Sequence, residues 1–216
     1  EARKYNVLLF LNGKDGDPYK IVGDDIGYGH ENTVTGASYT NKEYLDFLIQ
    51  NGYCEPVIMV STENTLAIDK LDRYERLLKY TAEHFSTYAE GTSTEDLIAA
   101  RDHFAIAGLS TGSQSVCLCA QYLPDIFGTY GFFSGLRDYD ETLEALSTKD
   151  TIRYLVINSG GWRDEMYDYM LKGYNGFSAL PNVQASAYVV VPSAGHEWTA
   201  FDAGIRELLM HFAPAE

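Results

Sequence analysis

Short apolar runs rich in β-branched and aromatic residues alternate along this chain with longer stretches whose apolar positions recur every three or four residues. The short runs read as buried strands: Tyr5–Leu11, Val57–Val60, Phe104–Ala107, Thr129–Phe133, Tyr154–Asn158 and Ala187–Val191. The longer stretches predict helices over Asn41–Asn51, Arg73–His84, Ser110–Tyr122, Asp140–Leu146, Asp164–Gly173 and Thr199–Phe212. Leu45, Leu48 and Ile49 share one helical face, as do Tyr74, Leu77, Leu78 and Thr81, and later Ile205, Leu208, Leu209 and Phe212. Strands alternating with helices predict an α/β fold with a mostly parallel central sheet flanked by helices. Two polar stretches, Gly13–Thr40 and Tyr88–Asp96, show no such periodicity. The first is longer than ordinary connections, and such segments more often serve function than mere linkage. No repeat, linker or charge run divides the chain, so residues 1–216 are expected to form one domain.

Composition narrows the function. The 216 residues, 45% apolar and 22% charged, suffice for a sizeable core and exclude disordered or collagen-like classes. Sixteen Lys plus Arg against 31 Asp plus Glu give a net charge of −15. That charge repels phosphate backbones and anionic lipid, which argues against nucleic-acid and membrane partners. No apolar stretch approaches the roughly 20 residues that span a bilayer. The polar start Glu1–Asn6 carries no signal peptide and reads as the beginning of a processed chain or of a piece of a longer one. Cys54, Cys117 and Cys119 do not form a disulfide framework. Cys117 and Cys119 lie two apart on a predicted helix and point in different directions, as buried free thiols would. No Cys/His spacing resembles a zinc site, and neither metal nor cofactor is expected.

The chemistry concentrates in Gly108-Leu109-Ser110-Thr111-Gly112, between a predicted buried strand and a predicted helix. In that context a G-x-S-x-G segment forms a nucleophile elbow, although an ordinary Gly-rich turn with Ser110 as a helix cap has the same composition. Glycines two before and two after the serine let neighbouring backbone pass a tight, strained turn. The helix that follows aims N–H groups and its positive end at the place where an oxyanion would develop. A serine hydroxyl needs a base, and the base needs an orienting acid. Of the later histidines, His211 falls within the periodic C-terminal helix, whereas His196 directly follows a predicted strand. The acid is expected after Tyr154–Asn158, with Asp164 preferred and Glu165 and Asp168 as alternatives; Asp138 and Asp140 follow an earlier strand. Trp162 and Trp198 flank the acid and the base, where they would either touch substrate or pack in the core.

These residues carry a resemblance that covers nearly the whole chain. The sequence resembles the esterase D-like α/β-hydrolases, in particular carbohydrate esterase family 1, which includes feruloyl esterases and acetyl xylan esterases. The matching pieces include Tyr5–Gly13, Asn51–Ile58, Phe85–Glu90, Ile106–Gly112, Phe132–Gly135 and Gly195–Trp198. The resemblance implies a serine esterase with Ser110 as nucleophile, Asp164 as acid and His196 as base. It also implies an oxyanion hole from the backbone of Thr111 and of the Gly13-Lys14 turn, with Asn12 beside the substrate. A feruloyl or acetyl ester of plant cell-wall polysaccharide and secretion follow from the same kinship, and the abrupt start suits a piece of a larger multidomain chain. An acyltransferase, or an inactive carbohydrate-binding module on the same fold, is the alternative. Three departures accompany the match. Asn12-Gly13 stands where His-Gly is common, Ser113 stands where Gly is usual, and strands that would precede Tyr5 are absent. The last implies a sheet shortened at one edge or completed by a segment outside the chain.

Overall fold

The structure is a computed structural model that describes residues 3–14, 16, 30–31 and 38–215. In chain order its strands are β1 (Asn6–Leu11), β2 (His30–Glu31), β3 (Ser38–Tyr39), β4 (Val57–Thr62), β5 (Phe104–Leu109), β6 (Thr129–Phe133), β7 (Tyr154–Gly160) and β8 (Ser186–Val191). Its helices are α1 (Asn41–Gln50), α2 (Asp72–His84), α3 (Thr94–Ala99), α4 (Thr111–Tyr122), α5 (Tyr139–Thr148), α6 (Tyr167–Phe177) and α7 (Trp198–Phe212). Among the described residues, six strands form one parallel sheet in the order β4-β1-β5-β6-β7-β8. Strands β2 and β3 make a separate antiparallel ribbon.

The strand β1 shows why its sequence is apolar at every position. Val7, Leu9 and Leu11 point into one layer, with Tyr74 and Leu78 of α2, Val116 of α4, Leu146 of α5 and Phe177 of α6. Leu8 and Phe10 point into the other, with Leu48 of α1 and Ile205, Leu208 and Leu209 of α7. Parallel strands covered on both faces need apolar residues of both parities. Each fully buried Leu or Phe contributes about 1.5–3 kcal/mol. The three cysteines are free and buried, and burial pushes the Cys54 and Cys117 thiols up to about 11. No helix among the described residues is long and apolar enough to cross a membrane.

The element boundaries depart from the sequence pattern in informative places. Strand β5 runs on through Gly108 and Leu109 directly to Ser110, so α4 begins only at Thr111. The helix expected from Asp164 starts at Tyr167, because Asp164 forms a turn that accepts N–H groups rather than entering the helix. That helix also runs past its expected end at Gly173 and ends at Phe177. A Cβ on Gly176 would overlap the Tyr139 hydroxyl, so this glycine serves close packing of α6 on α5. The polar segment expected to be loop through Asp96 already enters α3 at Thr94, where Ser93 and Asp96 form a capping box. Most of Gly13–Thr40, the long stretch expected to serve function, lies outside the described residues.

Candidate active site

Loops from β5, β6, β7 and β8 meet at the C-terminal edge of the sheet, the edge at which open α/β sheets place ligands. Ser110 sits where β5 turns into α4, with φ 53° and ψ −120°, a sparsely populated conformation that costs about 1–3 kcal/mol. Its N–H donates to the Phe133 carbonyl at 2.8 Å, and its carbonyl accepts from Gln114 at 3.2 Å. The flanking glycines are sterically required. A Cβ on Gly108 would overlap the backbone of Gly112, and one on Gly112 would overlap the Leu11 carbonyl. The elbow therefore packs directly on the end of β1.

The β1 end brings the Gly13-Lys14 turn to the serine. A Cβ on Gly13 would lie 2.7 Å from Leu109 Cδ1 and 3.6 Å from Ser110 Cβ. Asn64, a residue the sequence did not single out, fixes this turn by donating from Nδ2 to the carbonyls of Asn12 (2.9 Å) and Gly13 (2.7 Å). Arg73 in turn holds the carbonyls of Glu63 and Asn64 at 2.8 Å. Asn12 is fully buried, and its amide donates to Ser61 Oγ and the Thr62 carbonyl, bracing β1 against β4. Ser113 is also fully buried, and its hydroxyl donates to the Gly135 carbonyl. The unusual residue after the elbow thus ties α4 to the turn after β6.

Asp164 and His196 are brought together by two adjoining loops. Beyond β7 and β8 the chains stay paired: Gly161 N–H donates to the Ala194 carbonyl at 2.9 Å, and Arg163 bridges Gly195. Only glycine fits at 160 and 161, where a Cβ would overlap the carbonyls of Gly195 and Pro192. Asp164 Oδ1 then faces His196 Nδ1 at 3.2 Å. The carboxylate also accepts from Ser134 Oγ at 2.5 Å, Gly160 N–H at 2.9 Å and Met166 N–H at 3.0 Å. Burial alone would raise its pKa; the hydrogen bonds from His196, Ser134, Met166 and Gly160 outweigh that and hold it well below the usual carboxylate range. The His196 imidazole is shifted up, by its bond to Asp164 against the opposing effect of burial, with the charges of Asp164 and Glu165 adding to the rise. Asp164 is wholly enclosed while 29% of the His196 side chain stays open, so acid and base face opposite environments. An edge-to-face contact with Phe201 at 5.4 Å steadies the ring. Among the described residues no hydrogen bond joins His196 to Ser110, both of which lie at this same rim.

The other candidates are placed as follows. Glu165 and Asp168 are exposed, and neither is bonded to His196. Asp138 and Asp140 stand at the start of α5, Asp138 paired with Arg137. His211 lies at the far end of α7, stacked on Tyr154. Trp162 is 79% exposed beside the acid, with the Arg163 guanidinium 5.4 Å from its ring centre. Trp198 is half-buried and packs edge-to-face on Phe201. Thr111 is half-buried at the first turn of α4, and Lys14 is exposed. No cluster of three or more metal-ligating side chains occurs among the described residues.

No family model matches the chain. Its architecture is that of the α/β-hydrolases, as the solved structures it resembles make plain. They include the feruloyl esterase module from Clostridium thermocellum complexed with sinapinate (TM-score 0.77, 19% identity, covering 98% of this chain and 78% of that one). A ferulic acid esterase from Anaeromyces mucronatus is similar at a TM-score of 0.59 and 15% identity, over 96% of this chain and 78% of the other. S-formylglutathione hydrolase from Staphylococcus aureus is similar at 0.63 and 13% identity, over 98% and 82%. Among curated proteins, endo-1,4-beta-xylanase Y of Acetivibrio thermocellus is 24% identical over 91% of this chain. The chain spans 19% of that relative's length. The resemblance to carbohydrate esterase family 1 drawn from the sequence thus recurs in the fold.

Proposed function

We propose that the chain is a serine carboxylic-ester hydrolase in which Ser110, His196 and Asp164 carry the reaction. One observation carries this reading: a serine on a strained elbow shares its sheet edge with a histidine already hydrogen-bonded to an enclosed carboxylate. Asp164 holds the imidazole with Nδ1 protonated, leaving Nε2 to act as base. Hydrogen bonds in resting sites of this kind are often long and tighten with substrate bound. His196 takes the Ser110 proton as Oγ attacks the ester carbonyl carbon. The carbonyl oxygen becomes an oxyanion held by the N–H groups of Thr111 and of the Gly13-Lys14 turn, an interaction worth roughly 3–4 kcal/mol per donor. The tetrahedral species collapses, and His196 passes the proton to the departing alcohol. Water, deprotonated by His196, then attacks the acyl-enzyme and releases the acid.

The substrate class we favour is a feruloyl or acetyl ester of plant cell-wall polysaccharide. The similar proteins, a xylanase and feruloyl esterases, support it. Trp162, exposed next to the acid, offers an aromatic face to such a substrate. Residues 1–216 act as a single domain, and the small share of the xylanase that they match supports a module of a larger extracellular enzyme. Turnover of methyl ferulate, acetylated xylo-oligosaccharide and a p-nitrophenyl alkyl ester tests the reading. Hydrolysis is expected in the native chain and lost in Ser110→Ala. Ester turnover undiminished in that variant contradicts the mechanism, and a preference for the alkyl ester contradicts the substrate class.

A further inference from the structure

The turn after β6 carries a second device at this site, one that neither the elbow pattern nor the expected acid and base predict. Ser134 is fully buried and holds φ at 45°, a left-handed conformation unfavourable for any residue with a Cβ. Its N–H donates to the Asn158 carbonyl at 2.8 Å, and its hydroxyl donates to Asp164 Oδ2 at 2.5 Å. The same short turn grips the nucleophile. Phe133 accepts the Ser110 N–H, Gly135 accepts the Ser113 hydroxyl, and a Cβ on Gly135 would overlap the Ser110 carbonyl. Residues 133–135 therefore touch both ends of the relay.

Glycine suits the Ser134 backbone better, so a buried serine here needs another reason than the turn itself. Its hydroxyl supplies that reason: among the described residues it is the one hydroxyl donor to an enclosed carboxylate whose other partners are two backbone N–H groups and His196. We propose that Ser134 is a positioning residue, whose hydroxyl locks the Asp164 carboxylate in the rotamer that presents Oδ1 to His196. This rests on the triad reading above. Without the hydroxyl, Oδ2 loses a donor, the carboxylate is freer to rotate and its charge is less spread. The charged groups bearing on His196 are Asp164 and Glu165, while Glu197 is turned onto the Gly195 N–H. A less neutralised Asp164 holds protonated His196 more firmly, so the acid limb of the rate profile moves to higher pH.

Two variants separate the hydroxyl from the backbone. Ser134→Ala removes the hydroxyl and keeps the Cβ strain; Ser134→Gly removes the hydroxyl and relieves the strain. Rates are measured against pH with the best ester of the panel, normalised to the folded fraction from thermal melts. Both variants are expected to lose about 10- to 100-fold in kcat, the scale of a misplaced catalytic group. KM should stay within about twofold, and the acid limb should move upward alike in both. Native kcat and an unmoved profile in Ser134→Ala overturn the proposal, as does a loss that vanishes on normalisation. Ser110→Ala, run in parallel, keeps the two readings apart: activity surviving there sinks the mechanism, whereas an essential Ser110 with an indifferent Ser134 sinks only this inference.

Discussion

The two rims of the sheet are built from the same strands and differ in where the backbone is strained. At the N-terminal rim, polar side chains satisfy one another. Buried Arg101 donates to Asp125 and to the carbonyls of Thr151 and Phe127. His103 bonds Asn6 and stacks on Tyr88 at 3.5 Å, and the Tyr154 hydroxyl bonds Glu207. A cavity of about 340 Å³ opens there between His103, Arg153 and Tyr154, yet no residue with a φ in the left-handed region lines it. At the C-terminal rim, Ser110 and Ser134 both hold positive φ, and a carboxylate collects four donors. The Ser110 hydroxyl has no hydrogen-bond partner among the described residues. Strained backbone beside a fully satisfied buried charge is what sets the C-terminal rim apart, and such places are candidates for reactivity.

The largest expected effect tests the reactive rim. Asp164→Asn keeps the shape of the side chain but presents His196 with a group that favours the wrong tautomer. A fall in kcat of about 10⁴-fold is expected, the scale known for such triads, with a melting curve that remains cooperative. A decline smaller than tenfold would break the contrast between the rims. Arg101→Ala is the mirror test. It takes from half-buried Asp125 one of its two donors, Asp150 N–H remaining, and removes a donor from the Thr151 and Phe127 carbonyls, at a cost of about 1–3 kcal/mol in denaturant unfolding. Its kcat per folded molecule should equal the native value.

The pH dependence ranks next. His196 must be neutral to act as base, and its pKa is raised above 6.5 by Asp164. Activity should fall about tenfold per pH unit below that raised pKa, so the acid limb lies on the alkaline side of 6.5. Asp164, with its pKa depressed, stays ionised throughout this window and adds no second limb. A kcat/KM profile that stays flat down to pH 5 contradicts the assignment of His196. The smallest effect belongs to the open surface. Trp162→Ala should raise KM for an aromatic ester about fivefold, in keeping with an aromatic contact of about 1 kcal/mol, and leave kcat near native.

The sequence pattern exposed the six sheet strands and the main helices because each is apolar with a clean period. The proposed Ser110, Asp164 and His196 stand out for a different reason, since each follows a strand that ends at the same edge. What stayed hidden depends on long-range contact. Nothing local in Asn64 says that its amide reaches the carbonyls of Asn12 and Gly13, more than fifty residues away in sequence. Ser134 belonged to a recognisable Phe-Phe-Ser-Gly segment, but its bond to Asp164 exists only because β6 and β7 are neighbours. The Asn12 amide is a further case: its bonds to Ser61 and Thr62 arise only because β4 lies beside β1. The start of α6 was misplaced because an Asp before a helix reads as a cap, whereas Asp164 collects its donors outside the helix.

Covalent capture by a fluorophosphonate, with the modified residue mapped by peptide mass spectrometry, tests the central claim most directly. A single phosphonyl adduct on Ser110 is expected, formed faster as pH rises through the His196 titration and lost in Ser110→Ala. An unmodified Ser110 in folded, native protein, or an adduct carried by another residue, would contradict the account.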